Sequence, residues 1–257
     1  MIKLTNVDKT FNINTVNETT LFNNFNFSVK KGDFVSIVGS NGSGKTTLLN
    51  LVAGSLFADF GNIIINGKDI TNTKDYIRAK TIGRVYQDPS LGVAGNMTIA
   101  ENLALAENKN KRYGLSLGLS QKKIPYYKEL VSQLKLGLED KLNVPMASLS
   151  GGQRQAISLL MATMTPIDLL ILDEHTAALD PKTADIIMEL TDKVVKEKNL
   201  TALMVTHNLR YAVTYGNRMV MMHEGKCVLD VDGQEKLNTT IDDVLHLFNT
   251  ISIECGN

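Results

Sequence analysis

The stretch Leu149–Asp180, LSGGQRQAISLLMATMTPIDLLILDEHTAALD, carries two different chemistries. Leu149-Ser150-Gly151-Gly152-Gln153 is a small polar turn that opens a helix. A helix that opens on serine and two glycines offers backbone N–H groups and the positive end of its dipole, which suits an anion such as a phosphate. Leu169-Leu170-Ile171-Leu172 is a buried-strand run that ends in the acidic pair Asp173-Glu174. Carboxylates at the C-terminal end of a parallel strand suit a magnesium ion and an attacking water.

Far upstream, Phe34-Val35-Ser36-Ile37-Val38 reads as a second buried strand. It runs into Gly39-Ser40-Asn41-Gly42-Ser43-Gly44-Lys45-Thr46, the phosphate-loop pattern G-x-x-x-x-G-K-[ST] with a strand before it and a helix, Thr47 to Ala53, after it. The glycines let successive N–H groups turn inward where a Cβ would intrude. Lys45 is placed to reach the β- and γ-phosphates of a nucleoside triphosphate, and the Thr46 hydroxyl to ligate Mg²⁺. Thr47 belongs with these nucleotide-binding residues, and Gly54 is a fitting helix stop.

The order of phosphate loop, LSGGQ turn, aliphatic strand, Asp-Glu and Ala-Leu-Asp resembles the ATP-binding-cassette (ABC) family of ATPases over nearly the whole chain. The resemblance implies an α/β P-loop NTPase fold with a RecA-like mixed-sheet core, an antiparallel β subdomain and a helical subdomain inserted at about residues 89–155. It assigns Phe11, otherwise a plain sheet residue, as the platform on which adenine stacks. Gln87, alone an ordinary surface side chain, becomes a contact to magnesium and the attacking water at the start of a hinge with Asp88-Pro89. Asp173 holds Mg²⁺, Glu174 is the general base, and His207 contacts the γ-phosphate and keeps water and base aligned. Ser150, Gly151, Gly152 and Gln153 close over ATP held by a second copy, in a head-to-tail homodimer with two composite sites. Ala178-Leu179-Asp180 lies in the loop that crosses that interface. ABC ATPases that resemble this chain receive a helix of a membrane permease in a groove beside the helix Met97–Leu105, and the permease takes solute from a solute-binding protein.

One position departs from the pattern: His175 stands where most ABC ATPases have proline after the catalytic glutamate, so loop stiffness or a pH-sensitive contact is open beside simple packing. The run DEHTAALDPKT resembles a bacterial subgroup serving importers of aromatic amino acids such as tryptophan or tyrosine.

The remaining sequence supplies supporting elements. Ile2–Val7 and Leu21–Val29 read as strands joined through the polar loop 12–20, and Ile63–Lys68 as a strand with an Asn-Gly hairpin turn. Ile82–Tyr86 is a short strand. Thr98 with Glu101 forms a capping box before the Met97–Leu105 helix, and Pro125–Leu136 is a second amphipathic helix. Between those helices Lys109, Lys111, Arg112, Lys122 and Lys123, with Gly114 and Gly118, read as a solvated basic connection. Thr183–Lys196 is a long helix, Ala202–Thr206 a buried strand, 218–231 a hairpin around Glu224-Gly225, and 240–248 a short final helix.

Composition sets the outer bounds. The 257 residues suffice for one large α/β domain with an insertion. Lys+Arg and Asp+Glu both total 27, and this zero balance argues against nucleic acid as the main partner. Cys227 and Cys255 are too few for a disulfide framework and fit a reducing cytoplasm. No signal segment is expected, and no uncharged apolar run approaches the ~20 residues that span a bilayer, so a membrane role requires a partner. The sequon Asn17-Glu18-Thr19 is idle in that compartment. The expected function is therefore the ATP-hydrolysing subunit of an ABC importer, peripheral on the inner face of the membrane. A soluble ABC ATPase that remodels a cytosolic assembly and an ATP-gated switch with little hydrolysis are the alternatives.

Overall fold

The computed structural model describes residues 1–111 and 118–254. The chain forms two compact units, one from Met1–Ala79 with the chain from Asn199 onward, the other from Lys80–Lys198.

In the first unit, β1 (Ile2–Phe11) and β2 (Thr19–Val29) make the expected hairpin, with Phe11 opposite Thr19. The simple alternation expected along β2 slips at Asn23-Asn24. Asn24 sits at φ +53, and a bulge there puts Phe22 and Phe25 on one face with ring centroids 4.4 Å apart. Strand β3 (Phe34–Gly39) is buried at every residue and feeds α1 (Lys45–Ala53). Gly54 stops α1 in the left-handed region at φ +84, its N–H bonded to the Asn50 carbonyl. Strand β4 (Phe60–Ile65) pairs with β1, and β5 (Lys68–Asp69) folds back on β4 through Asn66-Gly67, both left-handed as a type I′ turn requires. A single turn, α2 (Asp75–Arg78), ends this part of the unit.

The second unit opens with β6 (Ile82–Val85). Helix α3 (Ile99–Glu107) starts at the expected capping box: the Thr98 hydroxyl accepts from the Glu101 N–H, and the Glu101 carboxylate accepts from the Thr98 N–H. Helix α4 (Ile124–Ser132) ends before the predicted Leu136 because Lys135 and Gly137 both turn left-handed. Arg112, Gly114 and Cys255 lie outside the described residues. Two lysines of the basic connection are tied to α3: Glu107 takes Lys123 at 2.6 Å and Lys111 at 3.7 Å, and it accepts from the Tyr127 hydroxyl at 2.7 Å, while Lys109 donates to the Ile82 carbonyl at 3.3 Å. Helix α5 (Gly151–Thr163) leads to β7 (Leu169–Asp173), which is parallel to β6 with Arg84 opposite Ile171, and then to α6 (Pro181–Glu197). Ile99, Leu103, Tyr127, Val131, Ile157 and Ile187 form the core of this unit.

Returning to the first unit, β8 (Thr201–Val205) lies parallel to β3 on one edge. Helix α7 (Leu209–Thr214) precedes β9 (Arg218–His223), parallel to β3 on its other edge, and β10 (Lys226–Asp232) turns back antiparallel on β9. Parallel partners on both edges account for the complete burial of β3, whose only polar side chain, Ser36, donates to the Tyr215 carbonyl at 3.1 Å. After α8 (Gly233–Asn238), the final helix α9 (Ile241–Glu254) is longer than the 240–248 expected. Its Val244, Leu247 and Phe248 pack on Val38, Ala212, Met219 and Met221. Among the described residues no helix is long and apolar enough to cross a membrane.

Candidate functional site

The phosphate loop leaves the buried end of β3 under tight steric control. A Cβ on Gly39 would sit 2.2 Å from the Met222 carbonyl oxygen, and one on Gly44 would sit 2.8 Å from the Phe22 ring. The loop is thus pressed from behind by β9 and β2, so these glycines are required before any ligand is considered. The Gly225 N–H also donates to the Ser43 carbonyl at 3.0 Å, fixing the loop to the β9–β10 turn. Lys45 is buried, and its ammonium donates to the Gly39 and Ser40 carbonyls, each at 2.8 Å. Ser40, Asn41, Gly42 and Thr46 are exposed, and Thr47 is half-buried.

Two features of this loop fit an anion. Helix α1 begins at Gly44 with no side-chain cap, whereas α3, α5 and α6 are each closed by one. The Ser43 hydroxyl is buried with no hydrogen-bond partner among the described residues. His207 follows β8 and is exposed. It shares a cleft of about 350 Å³ with Gly39, Ser40, Asn41 and Thr206, lined also by Leu245 and Phe248. Phe11 does not line this cleft. Its half-buried ring lies on the antiparallel sheet, 5.6 Å from the Lys9 ammonium, which also pairs with Asp59 at 2.6 Å.

In the second unit, β7 delivers Asp173 to its C-terminal end, and the chain reverses at once. Glu174 sits at φ +48, an uncommon conformation for a residue with a Cβ, and its carbonyl accepts from the Ala177 N–H at 2.9 Å. His175 turns inward and is 2 % exposed, its Nε2 3.1 Å from the Thr191 hydroxyl. That hydroxyl donates its one proton to the Ile187 carbonyl at 2.7 Å, so Nε2 carries the imidazole proton and donates. Burial pushes the His175 pKa down to about 4, which keeps the ring neutral at physiological pH. Of the roles open to His175, the structure therefore favours packing.

Asp173, Gln87, Tyr86 and Pro89 line a cleft of about 470 Å³, so two of the expected magnesium contacts share one space. Arg84, which the sequence reading passed over, is the surprise there. Its Nη2 donates to Asp173 Oδ2 at 2.8 Å, and its guanidinium lies 4.8 Å from the Tyr86 ring centroid. A signal existed: Arg84 is a charge inside a four-residue strand whose neighbours are buried, and such a charge needs a partner.

The LSGGQ turn differs from its simplest reading. Ser150 caps α5 by accepting from the Gln153 N–H, and Gln153 Oε1 accepts from the Ser150 N–H. A capping box therefore closes part of the opening that was expected to face an anion, leaving Gly151 and Gly152 between its two ends. Gly152 is buried, and a Cβ there would fall 2.1 Å from Thr183 Cγ2 of α6. Asp180 in turn caps α6 by accepting from the Thr183 N–H.

The comparisons with known proteins agree with this geometry. The ABC transporter family profile matches residues 22–177. A tyrosine transport ATP-binding protein of Clostridioides difficile is 45% identical, the alignment covering 96% of this chain and 98% of that protein. A methionine import ATP-binding protein, MetN 2, of Bacillus cereus is 36% identical over 97% of this chain and 73% of its own length. Among solved structures, the ATP-binding cassette MJ0796, a dimer in a post-hydrolysis state with ADP and Pi, aligns with TM-score 0.76 at 30% identity, covering 90% of this chain and 98% of that one. The ADP conformation of the cassette MJ1267 aligns at TM-score 0.79 and 27% identity over 100% of this chain and 99% of that one. The chain belongs to the ABC transporter family, as an ATP-binding, ATP-hydrolysing cassette.

Proposed function

We infer that this protein is the cytoplasmic ATPase of an importer for an aromatic amino acid, of which tyrosine is the first candidate. It works as a homodimer attached to a membrane permease, with a solute-binding protein upstream. The observation that carries the solute class is the near full-length match, at 45% identity, to a tyrosine transport ATP-binding protein. The run His175-Thr176-Ala177-Ala178-Leu179-Asp180 points the same way.

Within this reading the phosphate loop, Gly39 to Thr47, holds the triphosphate, with Lys45 neutralising the β- and γ-oxygens and Phe11 stacking on adenine. Thr46, Asp173 and Gln87 hold Mg²⁺. All three are oxygen donors, as a hard cation requires, and two share a cleft. Among the described residues no group of three His, Cys, Asp or Glu side chains forms a metal cage. Magnesium is characteristically held by one or two carboxylates together with substrate phosphates. When bound, the ion supplies charge neutralisation to the β- and γ-phosphate oxygens. Glu174 polarises the attacking water as general base, Gln87 and His207 orient it, and Ser150, Gly151, Gly152 and Gln153 act on ATP held by the partner copy. Residues 89–155 are the inserted helical subdomain. A groove of about 300 Å³, lined by Gly92, Leu105, Ser158 and Met161, is where we place the permease helix.

The test is affinity capture of the protein from detergent-solubilised membranes of its source cell. A co-purifying polytopic permease, and a solute-binding protein that binds tyrosine or tryptophan in preference to methionine, are expected. Capture of soluble chains alone would move the protein to the remodelling class.

A further inference from the structure

We propose that Arg84 is a positioning residue that holds the Asp173 carboxylate and competes with a divalent cation for it. The proposal rests on the reading of Asp173 as a magnesium ligand. It goes beyond that reading by giving the site a built-in competitor.

Three observations carry it. First, the Arg84–Asp173 pair is direct, at 2.8 Å, and only 14% and 13% of the two side chains is exposed. A pair this sheltered is far less screened than a surface ion pair. A cation that approaches Asp173 Oδ2 meets the Arg84 guanidinium already bonded there, so the two positive groups compete for the same carboxylate charge. Second, the guanidinium has somewhere to remain once displaced, because it already lies over the Tyr86 ring at 4.8 Å. Third, Arg84 cannot drift away. It sits in β6, held in parallel register against β7, the strand that carries Asp173. Competitor and ligand are thus delivered by adjacent strands, and the pairing is restored whenever the metal leaves.

The location adds a consequence. Arg84 is among the residues that line the cleft containing Asp173 and Gln87, and among those that line the groove with Leu105, Ser158 and Met161. The groove therefore borders the residue that restrains the metal-binding carboxylate.

The experiment is a titration of Mn²⁺ into the ADP-loaded protein, with bound metal measured by electron paramagnetic resonance, so that no turnover enters the readout. Arg84→Met is expected to half-saturate at about tenfold lower Mn²⁺ than wild type, the size of effect that one sheltered ion pair commands. The shift should persist in about 0.5 M KCl, where a purely long-range charge effect is screened away. Arg84→Gln, which keeps a polar side chain on the strand, should move in the same direction and serves if the methionine variant folds poorly. Asp173→Asn is the companion and should weaken Mn²⁺ binding. If both Arg84 variants bind Mn²⁺ no tighter than wild type while Asp173→Asn is weakened, the competition is refuted and the metal site stands. If Asp173→Asn leaves Mn²⁺ affinity unchanged, the metal-site reading falls and takes the proposal with it. A shift that vanishes in high salt refutes direct competition.

Discussion

Arg78 offers the sharpest test of how the fold supports the phosphate loop. Its guanidinium is 3% exposed and donates to four backbone carbonyls: Leu51 at 2.7 Å, Val52 at 3.1 Å, Thr73 at 2.7 Å and Thr71 at 3.1 Å. Leu51 and Val52 lie in the last turn of α1, where carbonyls have no partner within the helix and a cation is favoured by the dipole. Burial lowers the Arg78 pKa, and the carboxylates of Asp69 and Asp75 oppose that shift. Arg78→Met removes every donor and leaves the two deeply buried carbonyls of α1 unsatisfied, each costing ~1–3 kcal/mol. Relief from burying a charge offsets part of this, so the expected loss is about 3 kcal/mol. In a chain of this size that is a fall of about 10 °C in melting temperature, read by far-ultraviolet circular dichroism.

Gly54 makes the test stricter. A Cβ there would meet Arg78 Nε at 2.7 Å, in addition to the strain of a left-handed alanine at φ +84. Gly54→Ala should therefore cost more in wild type than in the Arg78→Met background, where only the backbone strain of ~1 kcal/mol remains. Strict additivity, or a loss below about 1 kcal/mol for Arg78→Met, would refute the argument that this guanidinium caps the helix.

Three other outcomes are expected. Gly152→Ala should destabilise the protein by ~1–3 kcal/mol because its Cβ falls 2.1 Å from Thr183 Cγ2; Thr183→Ala in the same chain should restore most of the loss, and no rescue in a urea titration would mean that the contact is not the cause. Burial pushes the Cys227 thiol from 9.0 up to about 11, so at pH 7.5 its thiolate is about 100-fold scarcer than that of an ordinary thiol; alkylation, followed by peptide mapping, should be slow and keep accelerating with pH toward 11, and a rate that levels off near pH 9 contradicts this. Glu174→Gln should abolish ATP turnover and let ATP trap a dimer visible by size exclusion, whereas a monomer with ATP, or hydrolysis at the wild-type rate, removes Glu174 as the general base.

What the sequence disclosed, and what it hid, divides along a physical line. Local rules were legible: the Asn66-Gly67 turn, the Thr98–Glu101 capping box and the Gly54 stop each depend on residues within a few positions of one another. The phosphate loop was legible for the same reason, since its glycines, Lys45 and Thr46 are contiguous. Boundaries set by left-handed non-glycine residues were not, as with Lys135 at the end of α4 and Asn24 in β2, because the local preference against φ > 0 is overridden by packing. Long-range satisfaction of charge was least visible of all.

Three cations, two buried and one half-buried, follow one rule. Arg78 serves the end of α1, Lys236 donates to the Val213, Tyr215 and Gly216 carbonyls at and just after the end of α7, and Arg84 serves Asp173. Each stands in or beside a short element with no motif of its own, and each is explained only by the acceptor the fold brings to it. For Arg78 and Lys236 the acceptors are backbone carbonyls, several of them at helix ends, which no ligand competes for, so those residues are structural. Arg84 differs because its acceptor is a carboxylate at the end of a parallel strand, the kind of group a divalent cation also seeks. The same physical need, a partner for a buried charge, thus yields scaffolding in two places and, at Asp173, an ion pair that a metal can contest.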